Sequence, residues 1–410
     1  MKLLYNLGIW GYYLLLRIAS IRNKKAQSWI DGRKDIFIRL KETITPGELI
    51  LWFHASSLGE FEQGRPVIEA IRALSPEYKI LLTFFSPSGY ELRKDYQYAD
   101  YVFYLPLDTP RNAARFIEIV QPQKVFFIKY EFWYNFLTQL KKADVPTYIF
   151  SALFRPSQIF FKPWGKWYLR AIQTFEQIFV QNQESYDLLI KFNFNNVSLS
   201  GDTRLDRVGQ IADASPRLEK LGIFCQGKKI IIAGSTWLED EAFLIPYINQ
   251  QSEGVKFVIA PHEVTPESLD RIAKALEKSF VYYSTATDSE LAKATVLIVD
   301  GYGYLNSIYR YGHIAYVGGG FTSGIHSILE PAVFGLPVLF GPDYHKFQEA
   351  HDMLFIGAAS CISNSDEFKI QMDSYLFDPD KLKVASAKAS GYVYKNRGAS
   401  SAIVNFLFPA

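Results

Sequence analysis

From residue 49 onward the chain repeats one pattern: a short apolar run, a turn, then a stretch with helical spacing. The runs are Leu49–Ala55, Lys79–Phe85, Tyr101–Pro106, Lys124–Ile128 and Thr147–Ser151, then Gln177–Gln181 and Val197–Ser200. Helical spacing fills the gaps, as in Phe61–Leu74 and Phe132–Lys142. Short apolar runs between turn residues suit strands buried on both faces. Their alternation with helices requires a parallel sheet covered on each side. The polar segment Gly201–Pro216 (GDTRLDRVGQIADASP) interrupts the pattern and reads as a linker. Alternation resumes with Lys229–Ala233, Lys256–Ala260, Thr295–Val299, His313–Val317 and Pro337–Phe340. The expected architecture is α/β: two tandem, doubly wound, Rossmann-like domains. A length of 410 residues fits two such domains. The expected division is 1–25 as an N-terminal helix with a basic flank, 26–210 as the first domain and 211–410 as the second. The last helix is free to pack back on the first domain.

Composition narrows the function. Hydrophobic residues are 49% of the chain and charged residues 21%, enough for true cores and too apolar for disorder. A formal net charge of +2 argues against a general nucleic-acid binder. Cys225 and Cys361 have no metal-type spacing and no disulfide framework, which fits a reducing compartment.

Leu3–Leu16 (LLYNLGIWGYYLLL) carries no charge, and Arg17, Arg22, Lys24 and Lys25 follow it. A spanning helix needs about 20 apolar residues, more than this segment offers. Arg17 stands where a small-residue cleavage site would begin, against a cleaved signal peptide. A core helix is one reading. The other is a retained helix that enters a membrane, with Trp10, Tyr12 and Tyr13 at the headgroups and the basic cluster on anionic lipid.

In doubly wound folds ligands bind beyond the carboxyl ends of the strands, and two facing domains enclose a cleft there. Four motifs lie at such ends. In His54–Glu62 (HASSLGEFE), Ser57 and Glu60 have capping-box spacing. The same Glu60 could instead take a proton from an attacking hydroxyl, with Gly59 letting the backbone approach a substrate. In Ile128–Asn135 (IKYEFWYN), Lys129 reads as one half of a surface ion pair, while Glu131 sits among large aromatics. In Ser235–Glu241 (STWLEDE), Ser235 or Thr236 reads as a helix cap, and a phosphate at that helix start is physically sensible. The fourth is Gly318–Gly320 with His326–Pro331. Its Gly319 and Gly320 could face phosphates, and Glu330 could accept both hydroxyls of a ribose. Neither the dinucleotide fingerprint nor a P-loop is present. The six histidines (His54, His262, His313, His326, His345, His351) show no zinc spacing, so no metal is expected.

Read in order, HASSLGE, IKYEFWYN, GDTRLD, AGSTWLEDE, APHE, DGYGYLNSIYRYGHIAYVGGGF and ILEPAVFGLPVLFGP resemble the successive blocks of the 3-deoxy-D-manno-octulosonic acid (Kdo) transferases, glycosyltransferase family 30. The resemblance runs from about residue 1 to the C-terminus. It implies a GT-B fold and inverting, metal-independent transfer of Kdo from CMP-Kdo to the lipid A precursor (lipid IVA), with no cofactor. It implies work at an anionic membrane surface, the cytoplasmic face of a bacterial inner membrane. It places the general base at Glu60, and transition-state stabilisation at Glu131 and Arg204. The donor's CMP would meet Pro261, His262, Tyr302, Gly303, Tyr304, Ser327, Ile328, Leu329 and Glu330. The chain departs from the family pattern at Asp202 and Arg204, where Asn and Lys are frequent, and at His262, where Arg is common. Ser327 and Ile328 replace Asn-Pro, and Tyr304 replaces an acid found in some members. A GT-B transferase with another nucleotide-sugar, a sugar-nucleotide epimerase and a non-enzymatic membrane-associated binder are the alternatives.

Overall fold

The computed structural model describes residues 1–252, 254–322 and 324–409. The chain forms two compact units, Met1–Arg207 with Arg397–Ala410, and Val208–Asn396.

The first unit holds strands β1 (Ile50–Ala55), β2 (Lys79–Phe84), β3 (Tyr101–Tyr104), β4 (Lys124–Ile128), β5 (Thr147–Ala152), β6 (Gln177–Val180) and β7 (Val197–Leu199). They form one sheet in the order β3-β2-β1-β4-β5-β6-β7, and each pairing is parallel. Period-two alternation sends Trp52, Phe127 and Ile149 to one face and Phe53, Phe126 and Phe150 to the other. Helices Pro110–Val120 and Tyr134–Lys142 cover the first face. Helix Leu58–Leu74 covers the second, joined by the last helix, Ala399–Leu407, through Ile403, Val404 and Leu407. Gly64 is required where the first of these meets the sheet, since a Cβ there would lie 2.3 Å from Ile128 Cδ1.

Asp108 organises a corner of this unit. Its buried carboxylate accepts the backbone N–H groups of Asn135 (3.1 Å) and Phe136 (3.0 Å) and the hydroxyl of Tyr5 (2.6 Å). It thereby satisfies the start of helix Tyr134–Lys142 and ties down the N-terminal helix Lys2–Ala19.

The second unit holds β8 (Lys229–Thr236), β9 (Val255–Pro261), β10 (Phe280–Tyr282), β11 (Val296–Ile298), β12 (Ile314–Val317), β13 (Val338–Phe340) and β14 (Ala359–Cys361). The order is β10-β11-β9-β8-β12-β13-β14, again with parallel pairings. The strands expected from the sequence are present. The two that were not expected, β10 and β14, are the sheet's edges and span three residues each. The boundary between the units, after Arg207, falls inside the segment read as a linker, but that segment is not irregular: Thr203–Ala214 is a helix with Leu205, Val208 and Ala212 buried. Its apolar residues recur at helical intervals, which its many charges obscure.

Helix Lys2–Ala19 buries none of its residues. Among the described residues no helix is long and apolar enough to cross a membrane.

Candidate active site

In the first sheet the chain runs outward from β1 to β3 and then returns to β4 on the other side of β1. This reversal makes the carboxyl ends of β1 and β4 the place where a doubly wound fold takes a ligand. His54 and Ala55 end β1, and Ser57 starts the helix behind it. Glu131 follows β4 by three residues.

His54 is fully buried, and its ring is held at both nitrogens. Nδ1 lies 2.9 Å from Thr83 Oγ1 and 3.1 Å from the Thr83 carbonyl. Nε2 lies 3.1 Å from Glu131 Oε2. The same carboxylate oxygen accepts Trp133 Nε1–H at 2.6 Å and the Ser56 hydroxyl at 3.1 Å. Glu131 is therefore a buried, multiply bonded acid with one fixed orientation.

Glu60 lies in the first turn of its helix and is half-buried. Ser57 occupies the N-cap position without accepting a backbone N–H through its side chain; its hydroxyl instead donates to Glu60 Oε2. So only Glu60's side of the expected capping box forms, and structural and chemical readings of Glu60 coexist. Burial first, then the negative charge of Glu131, raises the Glu60 carboxyl above the ordinary carboxylate range. The Lys129 cation opposes the shift. Lys129 had been read as a surface ion-pair partner. It adopts φ 70°, a left-handed conformation rare for a side-chain-bearing residue, and its Nζ lies 5.2 Å over the Tyr130 ring. Two acids and a cation thus share one strand-end neighbourhood.

Arg204 is engaged by Asp202: Nε and Nη2 donate to Oδ2 at 2.8 and 2.6 Å, and the Arg204 amide donates to Oδ1 at 2.9 Å. The positive charges of Arg155 and Arg204 and the negative charges of Glu60 and Asp202 all act on the Tyr130 phenol. Arg204 therefore belongs to the same charged group as Glu60.

The second unit gathers its residues at the ends of neighbouring strands. Ser235 bulges β8 with φ 54°. Neither Ser235 nor Thr236 caps the next helix, contrary to expectation. Trp237 is the N-cap residue of Leu238–Gln250, and its N–H donates to Asp240 Oδ2 at 2.9 Å. The Thr236 hydroxyl donates instead to Glu241 Oε1 at 3.3 Å. The extra residue that bulges the strand moves the helix start one position on.

Asp240 is fully buried and also accepts Gly319 N–H (3.0 Å) and the Tyr316 hydroxyl. Gly319 is thus corrected as a phosphate donor: its N–H is already used. The glycines serve close packing. A Cβ on Gly318 would lie 2.3 Å from the Ser235 carbonyl, and one on Gly320 would lie 2.6 Å from Gly341 Cα.

Pro261 is buried, while His262 is exposed and donates its N–H to the Thr236 carbonyl at 2.9 Å. The His262 ring stacks on Trp237 at 4.4 Å and on His326 at 4.5 Å between centroids. Trp237 Nε1 donates to His326 Nε2 at 3.1 Å. Burial, then the neighbouring His262, pulls His326 down to about 4, so it is a neutral acceptor at neutral pH. Tyr302, Gly303, Tyr304 and Ser327 are exposed, with Gly303 at φ 88°. Tyr302 accepts Val264 N–H at 3.0 Å. Ile328 and Leu329 are buried, so only their backbone can meet a ligand. Glu330 is half-buried, and its charge acts on the buried Tyr309 phenol. Among the described residues no three His, Cys, Asp or Glu side chains gather as metal ligands do.

Sequence reasoning missed His54, Trp133, Asp240, Trp237 and His326 as parts of these clusters. A histidine inside a buried central strand was the available signal for the first, because a buried imidazole needs partners.

Residues 25–207 match the family model described as 3-Deoxy-D-manno-octulosonic-acid transferase (kdotransferase). The chain is 28% identical to the 3-deoxy-D-manno-octulosonic acid transferase of Aquifex aeolicus, over 84% of this chain and 91% of the relative. It is 26% identical to that of Haemophilus influenzae, over 88% and 86%. Among solved structures it resembles the UDP-GlcNAc 2-epimerase of Neisseria meningitidis (TM-score 0.61, 17% identity, 88% of this chain and 100% of the other). It also resembles Acinetobacter baumannii MurG (TM-score 0.57, 12% identity, 88% and 99%). These likenesses support the two-sheet architecture alone.

Proposed function

We propose that the chain is a Kdo transferase and moves Kdo from CMP-Kdo to the lipid A precursor by an inverting, metal-independent displacement; the family-model match over residues 25–207 and the likeness to 3-deoxy-D-manno-octulosonic acid transferases support the reading. The observation that carries the mechanism is the pairing of Glu60 with Glu131. An acid raised above its ordinary range is a better proton acceptor from a sugar hydroxyl. As the acceptor oxygen bonds to the anomeric carbon of Kdo, Glu60 takes the hydroxyl proton. The bond from that carbon to the CMP phosphate breaks, and its electron pair leaves with the phosphate.

Glu131, held by His54, Ser56 and Trp133, stabilises positive charge that develops on the sugar. Arg204 offsets charge on the departing phosphate, with Asp202 fixing its fork. Ser235 and Thr236 are candidate phosphate contacts, with Gly320. The strand ends that carry Pro261, His262, Tyr302–Tyr304 and Ser327–Glu330 take the nucleotide, and Glu330 the ribose. No cofactor enters the scheme. The acceptor is assigned to the first unit and the donor to the second.

The acceptor is a lipid, so the reading includes a membrane. Leu3, Leu4, Leu7, Trp10, Leu14, Leu15 and Ile18 are all exposed on the first helix, followed by Arg17, Arg22, Lys24 and Lys25. An apolar surface with a basic flank supports a helix lying in the anionic cytoplasmic face of the inner membrane.

The test is turnover by detergent-solubilised protein given lipid A precursor and CMP-Kdo generated in situ. A lipid heavier by Kdo, lost in Glu60→Gln protein that still binds CMP, supports the reading. Full activity in Glu60→Gln removes Glu60 as the base. Release of free sugar without lipid product favours an epimerase instead.

A further inference from the structure

A cavity of about 410 Å³ opens beside the N-terminal helix. Its walls are largely apolar, built from Trp10, Tyr13, Trp29, Phe37, Ile38 and Leu107. Two cations, Arg33 and Arg115, and one carboxylate, Asp35, line it as well. The Arg33 guanidinium lies 3.7 Å from the Trp29 ring centre and 4.8 Å from that of Tyr104. Its donors go to backbone carbonyls: Nε to Leu105 (2.8 Å), Nη1 to Trp29 (3.0 Å) and Nη2 to Phe85 (2.7 Å). Three of an arginine's five N–H donors are thus used, and two remain. Among the described residues no carboxylate pairs with Arg33 or Arg115. Burial pulls Arg33 down to about 9. A largely apolar chamber whose wall carries two cations against one carboxylate suits a ligand that is both apolar and anionic.

The chamber also adjoins the site described above. Trp29 packs on Phe85 at 5.5 Å between centroids, and Phe85 on Trp133 at 4.7 Å. Trp133 donates to Glu131. One layer of aromatic rings therefore separates the chamber from the catalytic acids. On its other side, the Trp10 and Tyr13 wall continues into the exposed apolar surface of helix Lys2–Ala19.

We propose that this cavity holds one acyl chain of the acceptor lipid, with a phosphate of that lipid held by Arg115 and Arg33. The proposal rests on the transferase reading for the identity of the lipid. The cavity selects a phosphorylated, acylated acceptor over a bare sugar and sets the reach of its hydroxyl toward Glu60.

Two measurements on the full chain test it. In the first, dodecyl phosphate below its micelle concentration is titrated calorimetrically against wild type, Ile38→Trp, Arg115→Ala and Leu15→Gln. One equivalent should bind wild type. Filling the chamber (Ile38→Trp) or removing its outer cation (Arg115→Ala) should each weaken binding by about tenfold. Leu15→Gln, on the exposed helix, should leave it unchanged. Binding that Ile38→Trp and Arg115→Ala leave unchanged, whether or not Leu15→Gln weakens it, means adsorption elsewhere and overturns the proposal.

In the second, Ile38→Trp is assayed with acylated and deacylated acceptor. KM for the acylated acceptor should rise by about tenfold while the deacylated acceptor is used as before. Equal losses with both, or none, overturn the proposal. If wild type turns over neither acceptor yet passes the titration, the transferase reading fails and the lipid site stands.

Discussion

His54 Nε2 and Glu131 Oε2, 77 residues apart in sequence, meet at 3.1 Å at the carboxyl ends of adjacent parallel strands. This contact joins a buried strand to the acid that raises Glu60. The electrostatics of the site therefore depend on a residue with no route to substrate.

Removing the charge of Glu131 should return Glu60 toward an ordinary carboxylate. A base must be deprotonated to act, so a lower value moves the acidic limb of the rate profile to lower pH. Glu131→Gln should show that displacement in kcat/KM against pH, together with a slower maximum rate. An acidic limb that stays in place would separate Glu60 from Glu131.

Ser235 holds φ 54° without being glycine. Ser235→Gly should raise stability by about 1 kcal/mol, because glycine adopts this conformation freely. If the hydroxyl binds the donor's phosphate, the same change weakens CMP binding. Thermal unfolding and a CMP titration on one preparation check both halves.

Gly320→Ala should destabilise the second unit by about 1–3 kcal/mol, since a Cβ would meet the Gly341 backbone at 2.6 Å with no side chain able to yield. Gly59→Ala is the control: its Cβ meets only Ser57 Oγ, at 3.8 Å. Denaturant midpoints of the two variants should differ accordingly.

Burial pushes Asp108 from its ordinary 3.8 up to about 6. The folded state therefore binds this proton more tightly than the unfolded chain. Stability from this group is full below about pH 4 and is lost as pH rises through about 6, a difference of about 3 kcal/mol. Asp108→Asn should be less stable overall, because it turns an amide toward backbone donors, but should lose this slope. Denaturant unfolding at several pH values between 4 and 7 measures it.

The architecture was legible because both sheets are built from apolar runs that stand out against their helices. The edge strands β10 and β14 were not, as three residues carry too little pattern. Glu60 and Glu131 could be found from position, since each follows a strand that ends at the reversal of strand order. Their shared charge could not, because it depends on a contact between β1 and β4. The stack of Trp237, His262 and His326 was illegible for the same reason: it brings together the ends of three separate segments. Gly319 misled, because a glycine that offers its N–H to a phosphate and one that offers it to a buried carboxylate look alike in one dimension.

The helix Ala399–Leu407 completes the first unit, yet the ribosome makes it only after all of Val208–Asn396. Until then the sheet face that receives Ile403, Val404 and Leu407 is covered only in part, by helix Leu58–Leu74. The second unit has a continuous chain and can fold as it emerges, whereas the first must wait, apolar face partly open, for the terminal residues. A nascent chain cut short before residue 399 would thus expose a sticky surface. Loss of these few C-terminal residues would be read by the cell's chaperones and proteases before it was read in any rate of sugar transfer.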